Sequence, residues 1–145
     1  FLNEQTGWIA GGGGIYKTID GGKKWTAQLT PEFIFGQSGS LGGNAFFTDS
    51  LHGAITDQLS FGVTTNSGLD WTKRFDMQRT YHDIHFVNET TGYLTDNQYI
   101  WKTTDGGLSW KREVDLPGRR LIELHFTDAD HGWACGPGFM LRYAK

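Results

Sequence analysis

The stretch TTDGGLSW, residues 103–110, has two earlier copies in the same chain, TIDGGKKW at residues 18–25 and TTNSGLDW at residues 64–71. Each copy, which we call the box, has Thr first, Asp or Asn third, Gly fifth and Trp eighth. The residues at these positions are Thr18, Asp20, Gly22, Trp25, Thr64, Asn66, Gly68, Trp71, Thr103, Asp105, Gly107 and Trp110. A motif that returns about every forty residues is typical of a repeat protein with one supersecondary unit per repeat.

A second motif, a Phe followed by five residues and then Gly, runs in phase with the box. Its copies are Phe1 with Gly7, Phe47 with Gly53, Phe86 with Gly92, and Phe126 with Gly132. In the first three repeats the Gly stands eleven residues before the Thr of the box. Because this spacing is constant, the two motifs belong to one structural unit.

The third repeat predicts four short strands separated by polar or Gly-containing turns. We place strand A at 81–87, strand B at 92–95, strand C at 99–103 and strand D at 109–114. No repeat contains a pattern of helical length. Four-stranded antiparallel units in tandem predict an all-β protein, a β-propeller whose blades carry Asp-box hairpins.

The repeats predict about three and three-quarter blades in one propeller segment, at approximately 1–41, 42–80, 81–118 and 119–145, the last incomplete. Where a fourth box would begin, the chain has Tyr143, Ala144 and Lys145, and Phe1 stands at the end of a strand A. The favoured interpretation is the C-terminal half of a longer propeller whose ring is closed by a missing N-terminal strand. The alternative is a ring completed by a second copy of the chain.

The residue types of the box indicate a hairpin. Asp or Asn can accept N–H bonds inside its own turn, the Thr hydroxyl can bond the same loop, and Gly admits positive φ. The Trp begins strand D and can bury a large ring. The acidic residues of the box are therefore predicted to be structural and not catalytic.

Composition limits the functional classes. The 145 residues include 13 Lys and Arg against 16 Asp and Glu, so the net charge is −3, and no basic field for nucleic acid is visible. The single Cys135 excludes an internal disulfide framework. The apolar runs are too short for a membrane-spanning helix.

The histidines raise the question of a metal. His85 and His125 share one repeat position, and His52 and His131 share another. Aligned positions on separate blades are expected to lie far apart, unlike the convergent ligands of a metal site. We therefore expect packing roles for the histidines, and no metal or cofactor.

In a meander blade, the A–B turns and the boxes share one face, and the B–C turns and D–A connections share the other. The second face varies more between repeats, and loops on rigid scaffolds carry function disproportionately. The predicted partner-binding residues are Phe33, Phe35, Arg79, Arg119 and Arg120. The alternative for Phe33 and Phe35 is that their side chains fold back onto strand edges.

The stretch HFTDADHGWACGPGFMLRYA at 125–144, together with KTTDGGLSW at 102–110, resembles the photosystem II assembly and stability factor family. The resemblance covers essentially the whole chain. It implies a propeller without enzymatic activity that serves as a binding or scaffold module for a protein partner or a larger complex. It also favours an extracytoplasmic location, periplasmic, lumenal or secreted.

Similar boxes occur in sialidases and other glycosidases, so a fragment of a carbohydrate-active propeller enzyme is the alternative. Cleavage of a glycoside would need acidic, tyrosine and arginine side chains that converge on the substrate. The candidates are Tyr81, Asp57, Asp96, Arg79 and Arg119. The chain lacks the F/Y-R-I-P element that is typical of sialidases. Asp57 and Asp96 also align at one repeat position, where short polar turn residues are expected. We therefore favour a noncatalytic protein.

Overall fold

The computed structural model describes residues 1–11, 14–28, 44–56, 61–73 and 80–145. The candidates Phe33, Phe35 and Arg79, and also Asp57, lie outside these ranges. Within them the chain forms fourteen β-strands and no helix. The predicted all-β class is confirmed.

The strands form four antiparallel sheets in which each strand pairs with the next along the chain. The first sheet contains β1 (Gly7–Gly11), β2 (Gly14–Thr18) and β3 (Thr26–Ala27). The second contains β4 (Asn44–Phe47), β5 (Gly53–Thr56), β6 (Phe61–Thr64) and β7 (Thr72–Lys73). The third contains β8 (Asp83–Phe86), β9 (Gly92–Thr95), β10 (Tyr99–Thr103) and β11 (Lys111–Asp115). The fourth contains β12 (Glu123–Phe126), β13 (His131–Gly136) and β14 (Phe139–Ala144).

Strands B and C of the third repeat agree with the prediction to the residue. Strand A was predicted at 81–87 and is observed at 83–86, because Tyr81 packs into the core before the ladder begins. Strand D was predicted at 109–114 and is observed at 111–115, since the box turn extends to Trp110.

Steric contact explains the motif of Phe and Gly. The Phe ring lies directly over the Cα of the Gly that follows it across the A–B hairpin. A Cβ at Gly92 would stand 2.7 Å from Cδ1 of Phe86, and a Cβ at Gly132 would stand 2.6 Å from Cδ1 of Phe126. Real Cβ atoms do not approach this closely, so the ring requires Gly.

In each box the Thr hydroxyl organises the turn. Thr103 Oγ1 donates to Asp105 Oδ1 at 2.7 Å and accepts from the Gly107 N–H at 3.0 Å, while Asp105 Oδ1 accepts from the Ser109 N–H at 2.9 Å. Gly107 has a φ of 84°, a conformation that favours Gly. The corresponding bonds from Thr to Asp or Asn and from Gly to Thr recur in the first two boxes.

Backbone bonds join each box to the A–B turn of its own sheet. The Gly106 N–H donates to Thr90 O at 2.9 Å, and the Ser67 N–H donates to Leu51 O at 2.8 Å. The boxes and the A–B turns therefore occupy one face, as predicted.

The core lies between neighbouring sheets, which pack face to face. Tyr93 of the third sheet stacks on Phe126 of the fourth with ring centroids 3.5 Å apart, and Trp8 of the first stacks on Phe47 of the second at 3.7 Å. Consecutive strand residues face opposite neighbours, so Leu94 packs toward the second sheet while Tyr93 packs toward the fourth. The second and third sheets thus each form one wall of two apolar layers, and the first and fourth sheets each line one.

Candidate functional site

The first strands of the last three sheets, β4, β8 and β12, contact one another in order and form what we call the inner wall. Asp83 connects all three strands. Its Oδ1 accepts from Asn44 Nδ2 at 3.0 Å, and its Oδ2 accepts from the Leu124 N–H at 3.0 Å. The sequence signal for this role is a polar residue at the aligned positions Asn44, Asp83 and Glu123, none of which is among the predicted site residues.

The environment of Asp83 changes its titration. Burial raises the pKa of this carboxyl to about 6, against the opposing effect of its hydrogen bonds, and the nearby charge of Glu123 adds to the rise. Strongly perturbed groups are candidates for functional sites, but structural networks perturb pKa values as well. Three backbone and side-chain donors hold Asp83, so its role here is to join the strands.

His85 also belongs to the inner wall and lies two residues after Asp83 on β8. Its ring lies 4.2 Å from the Phe46 ring and 4.8 Å from the His125 ring, centroid to centroid. The expectation that aligned histidines lie far apart is wrong for this pair, because the first strands of adjacent sheets converge. Burial, and then the neighbouring His125, lower the pKa of His85 to about 4, so its ring packs as a neutral imidazole.

One group in the described ranges brings three metal-type ligands together. Asp49, His52 and Glu89 each offer one ligand atom, all within 4.8 Å of one another. Asp49 Oδ1 already caps its turn by accepting the Leu51 and His52 N–H groups at 2.6 and 2.9 Å. The same Asp and His pair recurs in the fourth sheet as Asp128 and His131, so turn structure accounts for it.

The predicted residues Arg119 and Arg120 lie on the opposite face from the boxes, in a rigidly held connection. The Leu116 N–H donates to Gln98 O at 2.9 Å, and the Leu121 N–H donates to Asn97 O at 3.1 Å. These bonds fix both ends of the connection to the β9–β10 turn of the third sheet.

The connection also lies against the β13–β14 turn of the fourth sheet. The approach is so close that a Cβ at Gly136 would stand 1.9 Å from Arg120 O, so only Gly fits. The sequence did not predict this contact.

An open groove of about 460 Å³ results, and it is lined by Gly118, Arg119, Arg120, Pro137, Gly138 and Phe139. The Arg119 guanidinium lies 5.0 Å from the centre of the Phe139 ring, within the range of a cation–π contact. Both arginines are exposed. Across the described ranges, no carboxylate forms an ion pair with either of them.

Two of the candidates for glycosidase chemistry, Asp96 and Tyr81, have structural environments. Asp96 is 3% exposed and accepts from the Gln98 N–H at 2.9 Å, the Tyr99 N–H at 2.8 Å and Trp101 Nε1 at 3.0 Å. Tyr81 is 2% exposed and packs edge-on against Phe61. Asp96 therefore caps a turn and Tyr81 belongs to the core.

Solved structures of propellers match this architecture. "YCF48 bound to D1 peptide" matches with a TM-score of 0.71 and 17% identity over 100% of this chain and 53% of that chain. YCF48 from Cyanidioschyzon merolae matches with a TM-score of 0.59 and 14% sequence identity, over 96% of this chain and 63% of that chain. An ancestral GH74 enzyme matches with a TM-score of 0.63 and 17% sequence identity, over 91% of this chain and 20% of that chain. The chain has the propeller fold.

YCF48 is a photosystem II assembly factor, so the fold that the sequence resemblance implied is confirmed. The chain spans 53% and 63% of the lengths of the two YCF48 chains. No family model matches the sequence, and no curated protein matches it. The described part of the chain contains no helix with the length and hydrophobicity that crossing a membrane requires.

Proposed function

We propose that the chain is a noncatalytic binding module that holds a carboxylate-bearing segment of a protein partner in the groove at Arg119 and Arg120. The observation that carries the proposal is a pair of exposed guanidinium groups on a rigid connection, with no carboxylate partner in the described part of the chain. The planar fork of Arg matches the geometry of a carboxylate, so side-chain or C-terminal carboxylates are the expected ligands.

The fold supports a peptide as the ligand. One matching structure is YCF48 in complex with a D1 peptide, so a propeller of this fold can hold a peptide. In the present chain, Phe139 adds an apolar and aromatic surface beside the two cations. Such a combination provides charge recognition together with apolar contact area.

The enzyme alternative rests on the shared propeller fold with a GH74 enzyme. A fold supports many unrelated functions, so a catalytic assignment needs a site. Of the groups considered for catalysis, Asp96 holds a turn and Tyr81 lies in the core. We therefore retain the binding module.

A selection from a random peptide library with the immobilised chain would test the proposal. We expect the enriched peptides to carry Asp, Glu or an essential free C-terminus. Arg119→Glu with Arg120→Glu should weaken their binding at least about tenfold, since each lost charge-assisted hydrogen bond costs about 1.5–3 kcal/mol.

The matched control is Lys23→Glu with Lys24→Glu, which reverses two exposed charges in the first box. This control should leave peptide binding unchanged. Enriched peptides without carboxylates, or equal loss of binding in both double variants, would refute the groove as the binding site.

A further inference from the structure

The three interfaces between neighbouring sheets are built from aligned residues, and at the middle interface two of these positions carry smaller, uncharged side chains. Between the third and fourth sheets, Tyr93 stacks on Phe126, and the cross-strand neighbour of Tyr93, Lys102, lies with its Nζ 5.1 Å from the Tyr93 ring centre. The first interface has the same arrangement, with Lys17 Nζ 4.9 Å from the ring of Trp8.

In the second sheet the two aligned residues are Ala54 and Val63, which also pair across the strands. Among the described residues, these two positions therefore supply neither an aromatic ring nor a cation. A cavity of about 140 Å³ lies there, and Ala54, Val63, Phe46 and Phe86 form much of its lining. An engineered apolar cavity of about 150 Å³ binds benzene, so this cavity has the size of one aromatic ring.

The opening of the cavity has the chemistry of a cation site. Glu89, Asp105 and His52 are among its lining residues, and the described lining includes no Lys or Arg. Carboxylates at the rim of an apolar cavity attract a cation attached to the ring that enters it.

The third interface shows which atoms such a ligand would bond. Tyr93 Oη and Lys102 Nζ both donate to one backbone oxygen, Ala129 O, at 2.5 and 3.0 Å. Ala129 stands three residues after Phe126, and Glu89 stands three residues after Phe86, so the two occupy one repeat position. Since Glu89 lines the cavity, its carbonyl is the corresponding acceptor for a phenol or an ammonium group.

We propose that the cavity between the second and third sheets binds an aromatic amine, with the ring stacked on Phe86 and the cation and any phenol hydroxyl at the Glu89 end. The ligand would restore the ring and cation that Tyr93 and Lys102 supply at the next interface. This site lies on the face of the boxes, and it does not depend on the groove at Arg119 and Arg120.

Two sources present the same chemistry, a free amine and the neighbouring Tyr and Lys side chains of a peptide. Calorimetric titration of the whole chain with tyramine and, in parallel, with acetyl-Tyr-Lys-amide distinguishes them, because the tighter ligand indicates the source. Two comparison compounds should each bind at least about fivefold more weakly than tyramine. 4-Ethylphenol lacks the cation, and a hydrogen bond to a charged group contributes about 1 kcal/mol or more. 2-Cyclohexylethylamine lacks the aromatic ring, and a stacked aromatic pair contributes about 1 kcal/mol.

Ala54→Tyr with Val63→Lys installs the side chains of the third sheet and should abolish tyramine binding. Ala54→Leu fills part of the cavity without a new charge and should weaken binding at least about tenfold, so the test does not depend on one variant folding. Both variants should show cooperative thermal unfolding, and Lys23→Glu with Lys24→Glu should bind tyramine like the wild type.

The proposal is overturned if neither tyramine nor the peptide binds the wild-type chain. It is also overturned if Ala54→Leu, or Ala54→Tyr with Val63→Lys, is folded and binds tyramine as tightly as the wild type. Equal binding of 4-ethylphenol and tyramine would refute the cation requirement. Peptide selection at the arginine groove is measured separately, so either proposal can fail while the other holds.

Discussion

Replacing Asp83 and His85 is expected to alter the pH dependence of stability in opposite directions. The second sheet provides natural replacements, because Asn44 and Phe46 occupy the aligned positions. Asp83→Asn and His85→Phe therefore insert residues that this inner wall already accommodates. Each removes one titrating group whose pKa differs between the folded and unfolded chain.

The signs follow from proton linkage. The folded chain raises the pKa of Asp83 from 3.8 to about 6, so Asp83 contributes stability that is fully present below about pH 4 and is lost as the pH rises through 6. The folded chain lowers the pKa of His85 from 6.5 to about 4, so its contribution is fully present above about pH 6.5 and is lost as the pH falls through 4. Each of these pKa differences corresponds to a contribution of up to about 3 kcal/mol to the free energy of unfolding.

The two contributions oppose each other over one pH window, so the wild-type chain should show little net slope from these groups. Urea unfolding at steps between pH 4 and pH 6.5 would give the free energy of unfolding of the wild type and both variants. The wild-type advantage over Asp83→Asn should shrink as the pH rises, and the advantage over His85→Phe should grow.

Only the change with pH tests the argument. Asp83→Asn also alters hydrogen bonds to Asn44 and Leu124, which shifts stability at every pH. A wild-type advantage that stays constant across the window for both variants would refute the assigned burial effects. A slope of the opposite sign for either variant would refute that residue's assignment.

Two further substitutions test the repeat motifs by urea unfolding at neutral pH. Thr103→Val should cost about 1–3 kcal/mol, because it leaves the buried Gly107 N–H without its acceptor, whereas Thr104→Val at the exposed neighbouring position should cost much less. Equal costs would contradict the role of the hydroxyl. Gly92→Ala should lower the free energy of unfolding by about 1–3 kcal/mol, because its Cβ would overlap the Phe86 ring. An unchanged midpoint of urea unfolding would contradict this steric explanation.

Local sequence was sufficient where the cause is local. The strands at 92–95 and 99–103 were predicted to the residue because alternation and turn residues act within a few positions. The box could be interpreted as a turn for the same reason, since Thr, Asp and Gly bond one another within eight residues. The bounds of strands A and D were less accurate, because packing of Tyr81 and the extent of the box turn decide where pairing begins.

Contacts between repeats required the tertiary structure. The sequence placed His85 and His125 at one repeat position but could not show that their rings meet, because that distance depends on how the first strands converge. It identified Arg119 and Arg120 as candidates without revealing that Arg120 O lies against Gly136.

The sequence by itself determined the repeating unit, its all-β class and its turn chemistry, because spacing and residue type within one repeat specify them. Only the tertiary structure decided what lies between repeats. Ala54 and Val63 are unremarkable in the sequence, but between two stacked sheets they leave a cavity where Tyr93 and Lys102 fill the next interface. Packing between sheets depends on side-chain volume across residues far apart in the chain, which no single repeat contains.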